Sequence, residues 1–136
     1  MDAALRDALV GSLDGYDALV EVGIGRRTDV AAALADRGRT VTATDVHPRE
    51  VPDGVSFVRD DVTAPDRDVY ADADALYALN LPPELHRPAR DVARAVGADF
   101  CFTTLGGDQP TVPVERRAIR GDTLYVSPGS AASPRE

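Results

Sequence analysis

Alternation of strand and helix patterns along the chain predicts an α/β fold, a Rossmann-like doubly wound parallel sheet of order 3-2-1-4-5. Two further observations support that prediction. An apolar strand (Ala18, Leu19, Val20) runs into Glu21-Val22-Gly23-Ile24-Gly25 just before a helical pattern begins. Glycines suit so tight a turn, because backbone N–H groups and the next helix can then approach a ligand. A second acid, Asp45, closes the next strand about twenty residues later, the spacing at which such folds place a carboxylate for ribose hydroxyls. Right-handed crossovers then leave few ways to wind the sheet.

The first residues read as an amphipathic helix, since Leu5, Leu9 and Leu13 recur every four positions up to Asp14-Gly15. After the glycine turn, Thr28 or Asp29 can cap a helix over 30–35 that Gly38 stops. The second strand is 40–44. His47-Pro48 and Val51-Pro52-Asp53-Gly54 are turn chemistry, and 55–58 is a short third strand leading into Asp60-Asp61. Residues 66–74 read as a loop or short helix before a fourth strand at 75–79. That strand ends at Asn80-Leu81-Pro82-Pro83-Glu84, because consecutive prolines cannot continue a central strand while Pro83 or Glu84 can start a helix. The helix carries Leu85, Ala89, Val92, Ala93 and Val96 and stops at Gly97. Residues 99–104 form a buried fifth strand. Beyond Gly106-Gly107, Val112, Val114, a Gly121-Asp122 turn and 124–126 predict a C-terminal antiparallel hairpin. Residues 1–126 then form one nucleotide-binding domain, and 127–136 read as a flexible tail.

A length of 136 residues fits one domain and excludes a second catalytic one. The net charge is -8, every basic side chain is arginine, and aspartate far outnumbers glutamate. Short hydrated carboxylates without lysine stems keep a surface soluble in high salt, and the composition resembles that of cytoplasmic proteins from salt-in halophilic archaea. Such acidity counts against nonspecific nucleic-acid binding, which needs a clustered basic face. No apolar run reaches the roughly 18 residues of a membrane span. The single cysteine, Cys101, cannot form an internal disulfide and sits in an apolar run, so it is expected in the core and the protein in the cytoplasm.

Gly23, Gly25, Asp45, Asp61 and Asn80 all fall at predicted strand ends, with Asp45 expected to be exposed there. A dinucleotide fingerprint requires a third glycine three positions after Gly25, and Thr28 stands there. Glu21 would repel a pyrophosphate yet suits the ammonium of a methionyl group. Histidine is a residue type that serves as a general base, but His47 and His86 both read as polar surface residues, and two histidines so far apart suggest no metal site. Ser127 and Ser130 lack a nucleophile's context. Arg116, Arg117 and Arg120 read as balancing neighbouring acids.

The stretch from Glu21 to Gly25 resembles the first motif of the class I S-adenosylmethionine-dependent methyltransferases, Asp45 their ribose-binding acid, and Asp61 the acid that contacts the adenine amino group. Arg27 replaces their third motif glycine. The whole chain also resembles a small archaeal family of unassigned function, through the proline-proline-glutamate-leucine segment within 77–85 and the ending over 110–126. The resemblance implies an adenosyl cofactor, S-adenosylmethionine, held by Glu21, Gly23, Gly25, Asp45 and Asp61, with Asn80 and Glu84 as candidates to orient a methyl acceptor. Neither 80–86 nor 106–111 is long enough for a lid, predicting an open cleft with Glu84 at its rim, suited to a small acceptor, a macromolecular surface, or a second subunit or protein partner. Two other readings stay open: a nicotinamide-dependent oxidoreductase, and a noncatalytic protein that senses a nucleotide or docks on a partner.

Overall fold

Asp2 accepts the Leu5 N–H at 2.7 Å and so caps α1 (Ala3–Leu13), whose Leu9, Val10 and Leu13 are buried as the leucine spacing requires. The computed structural model describes residues 1–129. The remaining elements are β1 (Ala18–Glu21), α2 (Asp29–Asp36), β2 (Thr40–Asp45), β3 (Val55–Arg59), β4 (Ala75–Ala78), α3 (His86–Val96), β5 (Asp99–Phe102), β6 (Glu115–Ile119) and β7 (Asp122–Ser127). Short 3-10 turns at Arg67–Val69 and Pro83–Leu85 precede β4 and α3. Pro82 and Pro83 thus start a tight turn, and the helix proper begins three residues later than Pro83.

The sheet has the order β3-β2-β1-β4-β5-β7-β6. Its first five strands pair in parallel in the expected winding, β7 joins β5 antiparallel, and β6 joins β7. The hairpin is therefore the continuation of the sheet. It starts later than the sequence pattern predicts: Pro113 has no N–H for a ladder, so β6 begins at Glu115 while Val112 packs into the core.

Successive residues of the central strands point to opposite faces, and both faces are covered. Leu19, Val41, Ala75 and Cys101 pack under α1 and α2, while Val20, Leu76, Phe100 and Phe102 pack under α3. Each fully buried Leu or Phe there contributes roughly 1.5–3 kcal/mol. Only the 3-10 turn stands between β3 and β4, and Ser56 and Val58 stay exposed. The expected domain boundary after residue 126 moves outward. Ser127 is buried in β7, and the Gly129 N–H donates to Asp99 Oδ1 at 2.7 Å. The rest of the expected tail, 130–136 with Ser130, lies outside the described residues.

Candidate functional site

Two neighbouring strands hold the glycine turn. The Val22 N–H donates to Tyr77 O of β4 (2.8 Å) and the Ile24 N–H to Thr44 O of β2 (3.0 Å). Gly23 and Gly25 take φ of 69° and 60°, a left-handed conformation that costs other residues roughly 1–2 kcal/mol. A Cβ on Gly23 would meet no atom within 4 Å, so the space above the turn is open. Thr28 precedes α2 but makes no side-chain cap bond.

Glu21 ends β1 and is 1 % exposed. Burial pushes its carboxyl up to about 8, with the Tyr77 hydroxyl beside it offsetting part of the shift and Asp29 adding to it. Glu21 and Tyr77 are register partners in β1 and β4, yet neither Glu21 Oε1 nor the Tyr77 hydroxyl has a well-aligned hydrogen bond. A buried, unsatisfied carboxyl oxygen is costly. It borders a pocket of about 210 Å³ together with Gly23, Gly25, Arg27 and Asn80, where a ligand's ammonium would satisfy it.

Asp45 differs from expectation: it is only 7 % exposed. Its Oδ2 accepts from the Gly25 N–H (2.8 Å) and its Oδ1 from the His47 N–H (3.0 Å), while Arg49 Nε lies 3.4 Å from Oδ2. Burial raises the Asp45 carboxyl, but the two N–H groups and Arg49 outweigh burial and hold it below the usual carboxylate range. An ionised carboxylate has about four lone-pair sites, so capacity for hydroxyl donors remains. Asp61 is exposed, and the Thr63 hydroxyl and N–H bond its Oδ1 and hold its pKa down. Its neighbour Asp60 is occupied structurally by the Asp66 N–H and the Tyr70 hydroxyl. Asp45 and Asp61 border a second pocket of about 160 Å³, walled by Val22, Val46, Val62 and Leu85 and sharing Gly23 with the first. Its apolar walls between two carboxylates suit a base and a ribose. A larger groove, about 370 Å³, runs between 62–67 and α3 and contains none of the predicted site residues.

Asn80 lies in the first pocket, just past β4, with φ 55°. With its amide oriented to satisfy both neighbours, Oδ1 accepts from Arg27 Nη1 (2.9 Å) and Nδ2 donates to Thr104 O (3.3 Å). Glu84 is exposed on the 3-10 turn and borders neither pocket, although the adjacent Leu85 does. Of the two acceptor candidates, only Asn80 joins the glycine turn.

His86 corrects the surface reading. It is 0 % exposed and packs on Phe102 at 4.6 Å between ring centroids. Thr111 N–H donates to its Nδ1 (3.2 Å), which assigns Nε2 as the donor to Leu81 O (2.9 Å). Pro83 and the following 3-10 turn aim His86 inward, a consequence its sequence neighbours do not signal. His47 is exposed as expected. Cys101 is buried in the core, where burial pushes its thiol up to about 11. Arg117 contacts Glu115 at 3.8 Å, Arg116 lies over the Tyr125 ring, and Arg120 sits in the hairpin turn with φ 38°. Among the described residues no group of three His, Cys, Asp or Glu is placed to hold a metal, and no helix is long and apolar enough to cross a membrane.

Sheet order, hairpin and glycine turn together define a Rossmann-like protein with a methyltransferase-like fold. The chain belongs to UPF0146, described as an uncharacterised protein family, whose model matches residues 8–127. A UPF0146 protein of Halobacterium salinarum is 58 % identical over 116 residues, covering 85 % of this chain and 90 % of its own, and its source agrees with the halophile-like composition. Among solved structures, an RNA methyltransferase from Salinibacter ruber in complex with S-adenosyl-L-homocysteine matches with a TM-score of 0.66 at 18 % identity, over 93 % of this chain and 90 % of that one. A TehB-like SAM-dependent methyltransferase from Corynebacterium glutamicum matches with a TM-score of 0.63 at 16 % identity, over 92 % and 86 %. At such identity the likeness is one of fold.

Proposed function

We propose that the chain binds an adenosyl cofactor, S-adenosylmethionine or S-adenosylhomocysteine, across the carboxyl ends of β1, β2 and β4. The observation that carries this reading is the juxtaposition, around Gly23, of the buried Glu21 Oε1, which has no hydrogen-bond partner, and an apolar pocket bounded by Asp45 and Asp61. Glu21 would meet the methionyl ammonium, the open turn at Gly23 and Gly25 would admit the ligand close to the backbone, Asp45 would accept from ribose hydroxyls, and Asp61 would contact the adenine amino group. The cytoplasm is the proposed compartment, where the buried Cys101 thiol stays reduced.

When bound, the cofactor supplies an electrophilic methyl group on a sulfonium. The chain's own part would be to hold an acceptor in line with it, a positioning effect worth about 7–11 kcal/mol of a barrier. Asn80 borders the pocket proposed for the methionyl end, beside which the acceptor would approach. Glu84 would act only at the rim, which leaves room for a small acceptor, a macromolecular surface or a second subunit.

One observation favours a second reading, a nicotinamide dinucleotide: Arg26 and Arg27 border the first pocket and could neutralise a pyrophosphate. Titration of the purified protein at high salt decides between them. We expect S-adenosylhomocysteine to bind and NADH to bind at least tenfold more weakly, a gap of about 1.4 kcal/mol. Tighter NADH binding would support the oxidoreductase, and binding of neither would support the noncatalytic docking protein.

A further inference from the structure

We propose that Arg27 is an anion clamp that takes the carboxylate at the amino-acid end of the ligand and so sets which adenosyl compounds the protein accepts. This inference rests on the adenosyl-cofactor reading. Arg27 occupies the position of the third motif glycine, and instead of leaving the turn bare it extends from the glycine turn to the end of β4, where Nη1 reaches Asn80 Oδ1 at 2.9 Å.

Asn80 is itself anchored. Its N–H donates to Thr103 Oγ1 (2.9 Å), its amide Nδ2 to Thr104 O (3.3 Å), and its φ of 55° places it in a left-handed conformation that the surroundings must hold. An anchored amide steers the guanidinium without neutralising it. A guanidinium has five N–H donors in a planar fork matched to carboxylates, and Asn80 takes one of them.

Charge supports the same assignment. In a chain of net charge -8, Arg6, Arg37, Arg39, Arg49, Arg90 and Arg117 all lie against carboxylates. Arg27 forms no ion pair among the described residues, and the acid in its own pocket, Glu21, is raised to about 8 and so is largely uncharged near neutrality. With its neighbour Arg26 also at the rim, the pocket offers positive charge at its mouth and a buried carboxyl at its floor, complementary to the carboxylate and ammonium of an amino-acid group.

The test is calorimetric titration of the wild-type protein, Arg27→Ala and Arg27→Gln with two ligands. S-adenosylhomocysteine carries the amino-acid end, and 5′-methylthioadenosine has the same adenosyl group but lacks it. Both variants should weaken S-adenosylhomocysteine about 10- to 100-fold and leave 5′-methylthioadenosine within about twofold. Arg27→Gln keeps a donor for Asn80 while removing the charge, so its retained methylthioadenosine binding reports an intact fold. Equal weakening of both ligands, or unchanged affinity for S-adenosylhomocysteine, overturns the clamp. A wild-type protein that binds neither ligand overturns the cofactor reading itself, and the clamp with it.

Discussion

Gly25 donates its backbone N–H to Asp45 Oδ2 at 2.8 Å, which ties the last glycine of the strand-one turn to the acid that ends strand two. The carboxylate proposed for ribose thus also shapes the turn that would receive the methionyl end. The proposed ribose contact and local stability would then share one side chain.

Asp45→Ala should therefore lower the melting temperature as well as the affinity for S-adenosylhomocysteine. Leaving the Gly25 and His47 N–H groups without their acceptor costs about 1–3 kcal/mol, or roughly 3–10 °C for a domain of this size. Because the folded Asp45 pKa lies below its ordinary value of 3.8, the contribution is complete above that value and fades as pH falls through the folded pKa. Thermal melts at pH 7 and pH 3 check this: the gap between wild type and variant should be wider at the first than at the second.

Glu21 works in the opposite direction. Its folded pKa of about 8 lies above the ordinary 4.5, so the folded protein binds more protons than the unfolded chain between those values. Stability should fall as pH rises through that window, by up to about 1.4 kcal/mol per pH unit, and level off above it. Glu21→Gln should flatten this slope in denaturant titrations from pH 5 to pH 9.

A cationic ligand amine reverses the preference for the neutral acid. Binding of S-adenosylhomocysteine near pH 7 should release up to about one proton from Glu21, seen as a dependence of calorimetric enthalpy on the buffer's ionisation enthalpy. Glu21→Gln should abolish that dependence.

His86 joins the two segments beside the proposed acceptor position, bonding Leu81 O on one and the Thr111 N–H on the other. His86→Leu fills similar space but strands both buried partners, at a cost of about 2–4 kcal/mol. Faster amide exchange at Thr111, with the central strands still protected, is the expected signature in hydrogen-exchange measurements. Uniform loss of protection would show that His86 supports the whole core.

The order of the strands and helices, the parallel core and the C-terminal hairpin were legible in the sequence. The continuous apolar runs of β1, β4 and β5, the helical leucine spacing of α1 and the two glycines are local signals, each written within a few consecutive residues. Glu21, Asp45 and Asp61 could be placed at strand ends for the same reason. Tertiary structure decided what those ends do. Gly25 meets Asp45 across 20 residues of chain, His86 meets Thr111 across 25, and pairing of β7 with β5 makes the predicted hairpin the sixth and seventh strands of the sheet. Arg27 reads as a missing glycine until β4 brings Asn80 beside it, and Glu21 reads as a charged acid until packing removes its water. Hydrogen bonding and desolvation depend on which distant groups the fold brings together, and short-range periodicity carries no record of that.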